Sequence, residues 1–85
     1  MELETQAIAA RMIADQIRDE YVNIGGRADC SVSVTYQEDT GEWEARPARD
    51  ELTVNERRKF VTAVDRVVHK HKMAIKAKLP IREEW

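Results

Sequence analysis

Few side chains in this sequence are equipped for chemistry, and their spacing decides most of what they can do. His69 and His71 stand two residues apart. Two imidazoles at that interval can share a metal ion only on a strand, because on a helix they point nearly opposite ways. Cys30 is the single cysteine, so it closes no disulfide within the chain. It sits on the apolar side of its segment, where a thiol behaves as a small hydrophobe rather than a nucleophile. Sixteen carboxylates are present, and with so many an adjacent pair such as Asp19-Glu20 carries no catalytic meaning. No phosphate-binding glycine loop, dinucleotide fingerprint, nucleophile elbow or HExxH is present. The chain is therefore expected not to be an enzyme, with no catalytic residue, no cofactor and no metal.

Charge is the stronger signal. Net charge is −2, yet residues 54–78 hold eight basic and two acidic side chains, a local balance of +6. At about 100° per residue, Arg58, Lys59, Arg66, His69, Lys70, Lys72 and Lys76 fall opposite an apolar stripe. Such a face could track phosphates or meet an acidic protein surface. It could equally be a solvated face whose lysines complement a helix C-terminus. Glu38, Asp39, Glu42 and Glu44 gather around a turn as an acidic knob suited to a basic partner. Their spacing lacks the ligand order of a calcium loop.

The elements that carry these residues can be read from periodicity. From Leu3 to about Ile24, apolar residues recur at three- and four-residue steps (Leu3, Ala7, Ala10, Ile13, Ala14, Ile17, Tyr21, Ile24), which predicts an amphipathic helix. Gly25-Gly26 ends it. The period then becomes two. Cys30, Val32, Val34 and Tyr36 alternate with Ser31, Ser33, Thr35 and Gln37, and Glu42–Arg46 alternates again beyond a Glu38-Asp39-Thr40-Gly41 turn. This predicts a β-hairpin, anchored by Trp43, with Pro47 ending the second strand or confining it to an edge. Thr53-Val54-Asn55-Glu56 has capping-box spacing and starts a second helix. Its stripe runs Phe60, Val61, Val64, Val67, Val68, His71, Ala74 and Ile75, with His71 inward, and Pro80 sets its latest end.

A lone hairpin needs a cover. The expected fold is α+β: a single two-layer αββα domain over residues 1–79, with two roughly antiparallel helices packed on one face of the hairpin. Residues 80–85 form an irregular tail, whose Trp85 could anchor a partner. In element order alone the chain resembles the small head–tail joining proteins of tailed phages, and its small size and lack of family motifs suggest a phage or mobile-element source. The first strand has neither proline nor lysine, so Ser31, Ser33 and Thr35 mark the edge expected either to pair with itself, giving a homodimer, or to accept a partner's strand.

No apolar run approaches the roughly 20 residues of a membrane span. The start is acidic, and one cysteine suits a reducing compartment, so a cytoplasmic location without membrane attachment is expected. The functional expectation is a small protein-interaction module (inhibitor, adaptor or assembly factor) docking on another protein. The alternative is nucleic-acid binding through the basic helix face.

Overall fold

The computed structural model describes residues 2–48 and 52–79. The elements run α1 (Leu3–Asn23), β1 (Val32–Gln37), β2 (Glu42–Pro47), α2 (Val54–His71) and β3 (Ile75–Ala77). The class is α+β, as expected. The expected hairpin is β1–β2, but it is two thirds of a three-stranded mixed sheet in the order β1-β2-β3. β1 and β2 pair antiparallel, and β2 and β3 pair parallel. Among the described residues no helix is long and apolar enough to cross a membrane.

The apolar period of α1 buries Ile13, Ile17 and Tyr21. Its end is a Schellman motif: Gly26 N–H donates to the Tyr21 carbonyl at 2.7 Å, and Gly25 N–H to that of Val22 at 3.0 Å. The two glycines serve different needs. Gly25 supplies a φ of +94°, whereas Gly26 supplies room, because a Cβ there would lie 2.6 Å from the Tyr21 ring. Tyr21 in turn meets Phe60 of α2 edge-on, ring centroids 6.1 Å apart.

At the start of α2 the capping box forms. Thr53 Oγ1 accepts from Glu56 N–H at 3.1 Å, and Glu56 Oε1 accepts from Thr53 N–H at 2.9 Å. Phe60, Ala63, Val64 and Val67 are buried on its inner side. The helix does not continue toward Pro80. It stops at His71, and Lys72 turns left-handed at φ 53°, ψ 46°. Ala74 and Ile75, expected on the helical stripe, therefore belong to an extended segment. Met73, Ile75, Ala77 and Leu79 are half-buried there, while Ala74, Lys76 and Lys78 are exposed. His71 is likewise corrected: it is exposed, because the helix ends there and no further turn covers it.

β2 is the central strand, with Trp43 opposite Tyr36 on one side and Ile75 on the other. Trp43 and Ala45 are buried in one cluster with the inward residues of both helices and Cys30. The Tyr36 and Trp43 rings lie 4.9 Å apart. Pro47 sits not on an edge strand but at the end of this central one. Trp43 N–H donates to Ala74 O and Lys78 N–H to Ala45 O, so the N–H that Pro47 lacks would have faced β3. The proline thus terminates the β2–β3 ladder without disturbing β1.

Two substitutions test these endings. Gly26→Ala forces the Tyr21 ring to move and is expected to cost about 1–3 kcal/mol by urea unfolding; an unchanged midpoint would refute the contact. Lys72→Gly relieves a left-handed lysine and is expected to raise stability by up to about 1 kcal/mol, read as a higher midpoint at the same urea slope.

Candidate functional site

The basic residues expected on one helix face are divided between α2, the turn after it and β3. Arg58 and Lys70 are exposed on α2. Lys59 is engaged: its Nζ donates to Gly25 O at 3.1 Å and ties α2 to the end of α1. Arg66 Nη1 lies 3.6 Å from Glu20 Oε2 of α1. His69 Nδ1–H donates to the Asp65 carbonyl at 2.8 Å. Lys72 lies past the helix, and Lys76 is on β3, across from Glu44 on the sheet's polar face. A sequence wheel could not show this, since it assumes one continuous helix and no partner on α1.

His69 and His71 do not converge. His71 instead borders a 150 Å³ cleft with Met12, Gln16 and Met73, between α1 and the end of α2. Among the described residues no three His, Cys, Asp or Glu side chains are arranged to hold a metal ion. Cys30 is buried, with its Sγ 3.7 Å from Ser31 O. The acidic knob divides as well: Glu38 and Asp39 are exposed in the turn, while Glu42 and Glu44 are half-buried on β2. Glu44 Oε1 accepts from Arg46 Nη2 at 3.2 Å. Trp85 lies outside the described residues.

β1 is an edge strand. Ser31, Ser33 and Thr35 are exposed there, but their backbone groups are not the outward ones. Ala48 N–H donates to Ser31 O, which makes residues 31 and 48 a hydrogen-bonded pair. With the register Ser33↔Arg46 and Thr35↔Glu44, alternation directs residues 31, 33 and 35 into β2. The N–H and C=O groups of Val32, Val34 and Tyr36 point out of the sheet.

Apolar surface also remains outside. Leu3, Ile8 and Met12 are 81%, 64% and 57% exposed on the first turns of α1, which precede its first buried residue, Ile13. Ile8 and Met12, one turn apart, lie away from the core-facing stripe. A separate open groove of about 710 Å³ is bordered by Val54, Arg57, Arg58, Val61, Thr62 and Leu79. Arg57, not singled out from sequence, is buried at its inner side.

Tyr21 was legible as a core residue but not as a buried phenol. Its hydroxyl has no hydrogen-bond partner among the described residues. Burial pushes its pKa above the usual 10.0, and the Arg27 backbone, close by but outside hydrogen-bond geometry, offsets part of that rise. In the unfolded chain the phenol ionises near that ordinary value, whereas in the fold it keeps its proton longer. Its contribution to stability is thus intact below pH 10.0 and lost as pH rises through the folded value. Tyr21→Phe is expected to lie within about 1 kcal/mol of wild type at neutral pH and to lose less stability in alkali. Parallel alkaline unfolding curves for the two proteins would contradict this.

No family model, curated protein or solved structure matches the chain.

Proposed function

We propose that this chain is a small protein-interaction module, an inhibitor, adaptor or assembly factor that acts by docking rather than by catalysis. The observation that supports this reading is the apolar surface left outside on α1. Ile8 and Met12 are large, exposed and one helical turn apart, and Met12 leads into the cleft beside His71 and Met73. Burying such side chains against a partner contributes about 1.5–3 kcal/mol each, enough to dominate a small interface when several are grouped. Nucleic-acid binding is the alternative, but Lys59 and Arg66 are already committed to α1, which reduces the charge available to phosphates.

Affinity capture from the source organism separates the two readings. Wild-type protein is expected to retain a defined protein partner that the double substitution Ile8→Glu/Met12→Glu loses, while Arg58→Glu/Lys70→Glu retains it. Both variants should melt as cooperatively as wild type. Recovery of nucleic acid that weakens steeply with salt and vanishes in the Arg58→Glu/Lys70→Glu protein would replace docking with the alternative.

A further inference from the structure

We propose that the outer edge of β1, beneath the Ala7–Arg11–Ala14–Arg18 flank of α1, is a slot that accepts one extended, acidic segment of a partner protein as a fourth strand. This rests on the docking reading and gives it a partner class.

Among the described residues the edge is uncovered. Val32, Val34 and Tyr36 direct their N–H and C=O groups outward, and no described residue accepts or donates there. β1 pairs one-to-one with β2 over all six residues, so no bulge twists it away. It carries neither proline nor lysine. The opposite edge differs: β3 has three residues, and Lys76 and Lys78 stand on and beside it.

The roof of the slot follows from the orientation of α1. Its Gln16 and Glu20 side meets α2, through Val67, Lys70 and Arg66. At about 100° per residue, Ala7, Arg11, Ala14 and Arg18 lie on the opposite flank, away from α2. Arg18 Nη2 donates to Ala28 O in the loop entering β1, which places this flank beside the strand. Two alanines leave room for side chains of an added strand. Arg11 is exposed with no ion pair among the described residues, and Arg18 is exposed too. Together they favour acidic side chains on the segment.

Spacing selects a bare strand over a second copy. α1 packs on β1 and α2 on β3, so the helices straddle β2 about two strand spacings apart, near the 8–10 Å of packed helices. The dyad of an antiparallel strand pair stands perpendicular to the sheet. A second copy joined through β1 would therefore bring its own α1 to about one strand spacing, roughly 4.8 Å, where two helices collide.

The test uses the full chain and a short acetylated, fluorescein-labelled peptide with valine and glutamate on one face and threonine on the other. Saturable polarisation is expected, with chemical-shift changes and slowed exchange at the Val32, Val34 and Tyr36 amides. N-methylation of the peptide amides that face β1, or Arg11→Glu, should weaken binding about tenfold or more. Val34→Pro removes an outward N–H without touching the β1–β2 ladder, so it should abolish binding while the protein still melts cooperatively. If that variant fails to fold, the N-methylated peptide decides alone. Binding indifferent to N-methylation, or none at about millimolar peptide, overturns the proposal. So does protection of these amides that grows with protein concentration alone, the mark of a second copy. A captured partner that depends on Ile8 and Met12 but not on Val34 would leave the docking reading standing and remove the slot. Peptide binding without any captured partner would do the reverse.

Discussion

The architecture depends on the Tyr21 ring being enclosed from several directions. Gly26 passes so close over it that no other residue fits, and Phe60 meets it edge-on from α2. Lys59, one residue from Phe60, then holds the Gly25 carbonyl. The end of one helix, the loop to the sheet and the second helix are joined at a single aromatic side chain. The isolated phenol oxygen is a cost of that packing, tolerated because the ring around it is fully enclosed.

Around that joint, the sheet divides labour by face. One face carries Val32, Val34, Trp43, Ala45 and Ile75 into the core. The other carries Ser33, Thr35, Glu44, Arg46 and Lys76, with Glu44 half-buried opposite Lys76 of β3 and paired with Arg46 of its own strand. Apolar surface is consequently displaced to α1, whose first turns precede the core, and polar backbone is displaced to the β1 edge. The two features flank α1 on different sides, Met12 toward the end of α2 and the β1 edge away from it.

Where local chemistry decides structure, the sequence was readable. The period of α1, its double-glycine ending, the turn before Glu42 and the Thr53–Glu56 box each act within a few residues. β3 was hidden because Ala74 and Ile75 fit a helical stripe as well as an alternating one, and no glycine marks the left-handed Lys72. The signal that distinguishes them is Met73, Ile75, Ala77 and Leu79 at period two, made decisive only by the free edge of β2. The same error placed Lys76 on a helix and His71 inside. The basic face was legible as composition but not as a surface, since the partners of Lys59 and Arg66 come from distant chain positions. At the β1 edge the strand was legible, but alternation of side chains gave the wrong residues for the outward backbone groups.

The parallel pairing of β3 has a kinetic consequence. Trp43 and Ile75, its first partners, are 32 positions apart in sequence, whereas Gln37 and Glu42 are only five apart. Closing the longer loop costs more chain entropy and gains a ladder of just three residues. With a ladder of three residues, β3 is expected to detach in transient openings more readily than the six-residue pairing of β1 and β2. When it peels away, the far side of β2 and the Trp43 indole are briefly bared to water, while the hairpin and both helices stay assembled.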